Sequence, residues 1–320
     1  MAYTGSGQLI EAWDYNRLTW GGNTTGTYTS TPSNFAYVWG VGNGQFGYGQ
    51  DVSQISAVTS SLEVSATQWS QFIYALNKCL GHQSGSAGQL ANGSNIGVTA
   101  GATIAYFANV ATAVGTVNTN AALYTAQGST TTGDNFNTAV SSSGGLGTWQ
   151  TVDRTVTFAS AQHARYFFNA GGQLNYRVTY SGGNGSGSTN SLQRVLTGVG
   201  GINFLNTTNS GRTGSGITLD TNNTAIGYRN LTTSAQTIVQ VTDNTASYTG
   251  SNSLIQVYCG ATDTTNGAVS AVVVFRLLYD VDDKTWDDTI SLTVTTKVDI
   301  VFPETTYLTA TAPWGTPAVT

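Results

Sequence analysis

The stretch RTVTFASAQHARYFFNAGGQLNYRVTY, residues 154–180, has the densest apolar and aromatic content of the chain. Residues 155–158 and residues 174–180 alternate between polar and apolar side chains, which is the period of half-buried strands. Between these two runs, Gly171 and Gly172 supply a place where the backbone can adopt positive φ and turn. The stretch therefore predicts a β-hairpin at the centre of a β-rich core.

The composition extends this prediction to the rest of the chain. Charged residues make up 8% of the 320 residues, against about 25% in an average globular protein. Abundant glycine, threonine, serine and asparagine are typical of β-structure with many turns, whose solvated faces carry hydroxyls and amides. The 39% hydrophobic and 11% aromatic residues argue against a disordered chain. Because so few charges protect strand edges from association, we expect an assembled protein and not an isolated monomer.

Charge and hydropathy argue against several classes of protein. The net charge is -5 and no basic patch occurs, which argues against nucleic-acid binding. No run of about 18 apolar residues is present, so we expect no membrane span, and the first residues lack the pattern of a signal peptide. Cys79 and Cys259 are expected to be buried free thiols, with a single disulfide between them as the alternative.

Residues 1–60 are rich in aromatic residues and glycine and mostly lack a regular period. We predict an extended N-terminal arm whose rings fill grooves of another surface. That surface is either the arm's own domain or a neighbouring subunit. Residues 42–47 match the dinucleotide pattern G-x-G-x-x-G, but residues 48–51 open no helix and no βαβ unit follows, so we reject a nucleotide site.

Residues 61–124 predict a helical hairpin. Ser65 is a candidate N-cap, Gly81 is the expected end of the first helix, and its apolar face consists of Trp69, Phe72, Ile73, Leu76 and Leu80. A second helix is predicted over about residues 101–121, although its glycines and threonines weaken the pattern. The polar residues 83–100 would connect the two helices.

The two histidines, His82 and His163, have no cysteine or carboxylate near them at the spacing of metal ligands. His82 directly follows the predicted helix. We therefore interpret His82 as a capping or packing residue.

Residues 125–148 are a low-complexity run of glycine, serine and threonine, which predicts a linker or loop. Residues 149–320 predict an antiparallel β-sandwich, because short strand patterns alternate with turn clusters. Beyond residue 181 the predicted strands lie near residues 192–199, 217–219, 224–229, 236–242, 254–259, 268–279, 290–301 and 305–311. The predicted fold class is thus mainly β with a helical insert.

The dense carboxylate cluster of residues 280–288 lies between two predicted strands. A calcium loop of the EF-hand type would need Gly and Glu where Thr285 and Ser291 stand, so we predict an acidic turn, with an irregular Ca²⁺ site as the alternative. A polysaccharide hydrolase would need paired carboxylates, for which Asp282 and Asp287 are the residues to test. The sequence contains no G-x-S-x-G elbow. We therefore expect no enzyme and assign no catalytic, cofactor-binding or metal-binding residues.

Two stretches resemble known proteins. QHARYFFNAGGQL, residues 162–174, resembles a recurrent segment of virion structural proteins of tailed bacteriophages, especially those that infect cyanobacteria and other aquatic bacteria. ATQWSQFIYALNKCLGHQSG, residues 66–85, is similar to a second pattern of those proteins and comes in the same order. Counting the intervening residues, the resemblance covers roughly a third of the chain. It implies a place in the virion, in the tail, fibres or baseplate, and no catalytic role.

The sequence analysis therefore favours a structural subunit of a phage tail, fibre or baseplate. The expected partners are further copies of the chain, in a homotrimer, and other virion structural proteins. A capsid decoration or head-fibre protein and a module that binds a host-surface glycan through exposed tryptophan, tyrosine and asparagine are the alternatives. The expected location is the virion, assembled in the host cytoplasm.

Overall fold

The computed structural model describes residues 10–21, 34–59, 62–85, 107–124, 127–143, 146, 149–245, 250–281, 289–309 and 314–320. Within these residues the chain is mainly β, with two antiparallel sheets and several helices. The predicted fold class, an antiparallel β-sandwich with added helices, is confirmed at this level.

The strands are β1 (Gln127–Thr131), β2 (Phe136–Ser143), β3 (Gln150–Thr157), β4 (Gln173–Ser181), β5 (Gly201–Phe204), β6 (Thr218–Asn222), β7 (Gln236–Asp243), β8 (Ser251–Cys259), β9 (Val272–Asp280), β10 (Thr289–Pro303) and β11 (Ala318–Val319). The α-helices are α1 (Ala12–Trp20), α2 (Phe35–Trp39), α3 (Ala66–Ser84), α4 (Phe107–Thr119), α5 (Ala161–Asn169) and α6 (Gly187–Val199).

The first sheet is built around β10, the longest strand. Its alternating sequence buries one face, formed by Ile290, Leu292, Val294, Val298 and Ile300. On one side β10 pairs with β4, which pairs in turn with β5. Along its other edge β10 pairs first with β2 and then with β1.

The second sheet has the strand order β11-β3-β9-β8-β7-β6. Aromatic rings join it to the first sheet. Tyr176 of β4 stacks on Phe275 of β9, with ring centroids 5.2 Å apart and planes 8° from parallel, and Phe204 of β5 meets the same ring edge-on at 5.5 Å. Helix α6 contacts strands of both sheets. The two sheets and α6 therefore share one aromatic and aliphatic core.

The predicted hairpin of residues 154–180 is wrong, although both of its strands exist. Strand β3 pairs with β9 in the second sheet, whereas β4 pairs with β10 and β5 in the first. Helix α5 lies between them, and the hydroxyl of Ser160 caps it by accepting from the amide of His163. Phe167 and Phe168 are buried on α5, and the positive φ of Gly171 follows its end. The segment thus crosses from one sheet to the other.

Residues 192–199 form the second half of α6 and not a strand. Its buried apolar residues Leu192, Val195, Leu196 and Val199 recur at helical spacing, and tertiary packing outweighs the strand preference of valine. Residues 224–229 and 305–309 form no named strand. Strands near residues 217–219, 236–242, 254–259, 268–279 and 290–301 are confirmed as β6 to β10.

Residues 125–148 are not only a linker, since β1 and β2 lie within them. Both strands pair with the edge of β10, although five of the eight residues of β2 are Asn, Thr or Ser. Threonine suits a strand that is solvated on one face, so a polar composition did not exclude pairing here.

The described parts of residues 1–60 correct the prediction of an extended arm. They form α1, α2 and a 3₁₀ turn, Ser53–Ile55. Tyr15, Phe35 and Tyr48 are fully buried. Tyr15 and Phe35 meet the ring of Phe72 in α3 edge-on, with centroids 5.9 and 5.5 Å apart. These residues therefore belong to the chain's own core.

Helix α3 is confirmed, including its cap. Ser65 and Gln68 form a capping box in which the Gln68 amide donates to the Ser65 hydroxyl and the Ser65 amide donates to Gln68 Oε1. The helix continues past Gly81 to Ser84 and is capped by Gly85, which adopts positive φ. Helix α4 packs on α3. Residues 86–106 lie outside the described part, so the predicted connection of the helical hairpin stays a prediction.

Candidate functional site

A group of buried polar residues lies where the helical part of the chain meets the sandwich, and it includes Arg165, Asn169, His82, Gln83 and Glu304. Two groups of hydrogen bonds fasten the junction. One joins α5 to residues 40–50, which we call the glycine loop. The other joins the end of α3 to the residues that follow β10.

Arg165 of α5 is the centre of the first group. Its side chain is fully buried. Its guanidinium donates to the carbonyl of Phe46 at 2.5 Å, to that of Gly44 at 3.1 Å and to that of Val41. Burial lowers the pKa of Arg165 from its ordinary value, and arginine keeps its charge even so. A buried cation is thus satisfied by backbone carbonyls of a segment about 120 positions away in sequence.

Asn169 lies one helical turn after Arg165 and reinforces the same contact. Its Nδ2 donates toward the carbonyls of Gly44 at 3.0 Å, Phe46 at 3.3 Å and Gly47 at 3.2 Å. Its Oδ1 accepts from Nδ2 of Asn206 at 3.1 Å, which extends the network toward the turn after β5. Residues four apart share a helix face, so Arg165 and Asn169 both donate hydrogen bonds to the glycine loop.

The glycine loop holds its carbonyls in place by an unusual backbone path. Gly42 and Gly47 have φ of +49° and +100°. A Cβ atom at Gly47 would lie 2.3 Å from the carbonyl oxygen of Val41, so only glycine fits. The G-x-G-x-x-G match therefore has a local structural cause, which is a tight loop whose carbonyls face α5. No regular helix begins at residues 48–52.

The second group centres on His82 and Glu304, both of which are buried. His82 Nδ1 and Glu304 Oε1 are 3.0 Å apart, and the carboxylate also accepts from the amides of Thr306 and Tyr307. Burial raises the pKa of Glu304, but the hydrogen bonds from His82 and from the two amides outweigh it, and the pKa is lowered. His82 is therefore a packing residue, as predicted, with a carboxylate partner that the sequence did not indicate.

Further contacts around α3 complete the junction. Gln83 Nε2 donates to the hydroxyl of Tyr48 and to the carbonyl of Val117, both at 3.0 Å. Gly81 lies against the ring of Tyr307, where a Cβ atom would be 2.5 Å from ring carbon Cε1. The last turns of α3 thus contact the glycine loop, α4 and the residues after β10.

Three other candidate residues of the sequence, Cys79, Cys259 and His163, take no part in the hydrogen bonds described for the junction. Cys79 and Cys259 are free and buried, as expected, and burial raises the pKa of each thiol. His163 contacts the Ser160 hydroxyl at 2.6 Å. Asp282 and Asp287, with the rest of residues 282–288, lie outside the described residues. Among the residues that the structure describes, no group of three His, Cys, Asp or Glu side chains could hold a metal ion.

Sequence reasoning missed Arg165, Asn169 and Glu304 as the residues that fasten the junction. A signal for the first two was present in the sequence. In a helix over this segment, an arginine and an asparagine four residues apart lie on one face. Nothing near Glu304 indicated a partner 222 positions earlier. The hydrogen bonds of these polar groups join the helical part of the chain to the sandwich.

In the described part of the chain, no helix is long and apolar enough to cross a membrane. Comparisons with protein-family models, with the curated proteins and with the solved structures find no match.

Proposed function

We propose that the chain is a structural subunit of a tailed-phage virion, in the tail, a fibre or the baseplate, and acts by self-association and by docking to other virion proteins. The observation that carries this proposal is the role of the two stretches that resemble such proteins. Residues 66–85 and residues 162–174 supply His82, Gln83, Arg165 and Asn169, which fasten the junction. The recurrent residues thus serve to fix the shape of the subunit.

A fixed shape is what a structural subunit requires, because its contacts with neighbours must keep one geometry. The junction ties the helical part to the sandwich through side chains with little or no exposure, including Arg165 and His82. Buried polar groups whose hydrogen bonds are satisfied, as those of Arg165 and Asn169 are, favour a single packing over its alternatives. The proposal assigns no catalytic role to these groups.

Exposed apolar side chains of the helical part support contact with a neighbour. Trp13 of α1, Leu62 before α3 and Tyr74 of α3 are 48%, 61% and 51% exposed. The bridge between Glu11 and Glu63 brings Leu62 next to the start of α1. Exposed apolar side chains that form a patch mark interaction surfaces, and Leu62 lies beside the start of the helix that carries Trp13. Residues 1–60 would therefore dock through the outer face of α1, and not as an extended arm.

The oligomer is proposed to be a homotrimer with closed symmetry. The number three is part of the proposal and is tested by the molar mass of the full-length protein. The low charge of the chain supports association in general, because 8% charged residues leave large neutral surfaces.

The test is to locate the chain in particles of the phage that encodes it. Particles are purified on a density gradient, the chain is quantified by mass spectrometry, and gold-labelled antibodies identify its position by electron microscopy. We expect several copies in each particle and label on the tail, fibres or baseplate. Label on the head would favour the decoration or head-fibre alternative. A chain that is abundant in the lysate and missing from the particles would refute the proposal.

A further inference from the structure

A shallow groove runs along the outer face of α6. It consists of two adjoining depressions of about 370 Å³ each, which share Tyr180, Thr197 and Ser215 as lining residues. We call this surface the α6 groove. It lies on the sandwich, away from the junction, and the proposed structural role makes no use of it.

One wall of the α6 groove is a polar stripe of the helix. Asn190, Gln193, Arg194 and Thr197 follow one another at intervals of three, one and three residues, so they share one face. Tyr180, near the end of β4, is the aromatic side chain of the lining, and it is 36% exposed. The buried residues Val178 and Leu196 also contribute to the lining.

The opposite wall is the loop of residues 213–216, which the structure holds closely against α6. Gly214 packs on the last turn of the helix so tightly that a Cβ atom would lie 2.2 Å from the carbonyl oxygen of Thr197. The amide of Thr213 donates to the carbonyl of Gly201 at 2.8 Å. A guanidinium nitrogen of Arg212 reaches the carbonyl of Ile217 at 3.2 Å. The wall is therefore preorganised for a ligand.

Several polar atoms of the groove are positioned by the protein and still have hydrogen-bonding capacity. Arg194 donates through Nε and Nη2 to the buried Asp243 at 2.8 and 2.5 Å, which fixes the guanidinium and leaves Nη1 available. Gln193 donates through Nε2 to the carbonyl of Gly182 at 3.0 Å, which leaves Oε1 available as an acceptor. Thr197, on the same face of α6, is exposed and adds a hydroxyl.

From this combination we infer that the α6 groove binds a neutral oligosaccharide. An open groove with one aromatic face and many fixed hydroxyl, amide and guanidinium groups suits the apolar faces and dense hydroxyls of a sugar chain. Asp243 compensates the charge of Arg194, and the other lining residues are uncharged. An anionic ligand would therefore gain little electrostatic attraction here. This inference is independent of the proposed role in the virion.

The test is titration of the full-length protein with defined oligosaccharides, followed by NMR or calorimetry. The neutral probes are maltoheptaose, isomaltoheptaose and chitopentaose, and the acidic probe is a galacturonic acid pentamer. We expect saturable binding of at least one neutral probe at concentrations up to about 10 mM, and weaker binding of the acidic one. Tyr180→Ala and Gln193→Ala should each weaken that binding about tenfold or more, and Tyr180→Phe should weaken it less than Tyr180→Ala.

Trp149→Ala is the matched control, because Trp149 is an exposed aromatic residue, 42% exposed, that does not line the groove. Its variant should bind as the unmodified protein does. Equal unfolding midpoints of all variants would confirm that each one is folded. Any of three results would overturn the inference. They are no binding of any neutral probe, preference for the acidic probe, and binding that is unaffected by the Tyr180 and Gln193 variants.

Discussion

Arg165→Met should destabilise the protein by loosening the glycine loop from α5. The change keeps an apolar stem of similar length but removes the charged donor to the carbonyls of Val41, Gly44 and Phe46. Hydrogen bonds to charged groups contribute about 1.5–3 kcal/mol each. Two effects reduce the sum, because Asn169 still donates to two of these carbonyls and because the cost of burying a guanidinium disappears. We expect the free energy of unfolding to fall by about 2–4 kcal/mol.

The assay for Arg165→Met is urea unfolding, combined with hydrogen exchange of individual amides. The amides of Tyr48 and Gly49 donate to the carbonyls of Val38 and Gly40, both at 2.9 Å, and they report whether the glycine loop opens. Their exchange should accelerate more than that of β8 and β9 amides. Arg165→Lys should recover part of the loss at most, because one ammonium group cannot reproduce the planar fork of a guanidinium.

The matched control is Arg276→Met. Arg276 pairs with Asp153 at 2.8 Å at the surface, with the two side chains 31% and 36% exposed. Removal of such a pair should cost less than about 1 kcal/mol. The reasoning would be refuted if Arg165→Met cost no more than this control, or if loop amides exchanged at their original rates.

Two further predictions concern other parts of the junction. Gly81→Ala should destabilise the protein by about 1–3 kcal/mol, because the new methyl group overlaps the Tyr307 ring. Gly115→Ala, where the added atom meets nothing within 4 Å, should stabilise α4 by about 0.5–1 kcal/mol, and thermal unfolding of both variants checks the contrast. The lowered pKa of Glu304 means that its contribution to stability is present above the ordinary carboxyl pKa and is lost as pH falls toward the folded-state value. Glu304→Gln should therefore flatten the decline of unfolding free energy below about pH 5, and an unchanged slope in urea titrations at several pH values would count against this.

The class of the fold could be predicted from sequence because it depends on local patterns. The alternation in β10 and the capped amphipathic pattern of α3 both appear in the structure. The prediction of a hairpin over residues 154–180 was wrong for the opposite reason, because the strands of this segment pair with distant strands. A Gly-Gly pair predicts a turn. It does not show whether that turn joins two paired strands or follows a helix that connects two sheets. The strands that pair with β3 and β4 are β9 and β10, which lie more than 100 residues further along the chain.

The arm of residues 1–60 was misjudged because its helices are short and their apolar residues show no clear period. Helix α2 has five residues, all of them buried, so its stability comes from tertiary packing and not from propensity. The hydrogen-bond partners within the junction could not be predicted for a similar reason, because they lie 121 and 222 positions apart in sequence. The sequence around Arg165 and Glu304 does not indicate their partners. The fold places the glycine loop beside Arg165 and His82 beside Glu304.

The measurement that tests the proposed function most directly is the molar mass of the full-length protein in solution, by light scattering. The complete chain is required, because Tyr15, Phe35 and Tyr48 are core residues and a truncation of residues 1–60 would expose the core. The proposal predicts a stable species of about 100 kDa, three times the 33.4 kDa of one chain. A stable, soluble monomer of 33.4 kDa would contradict it.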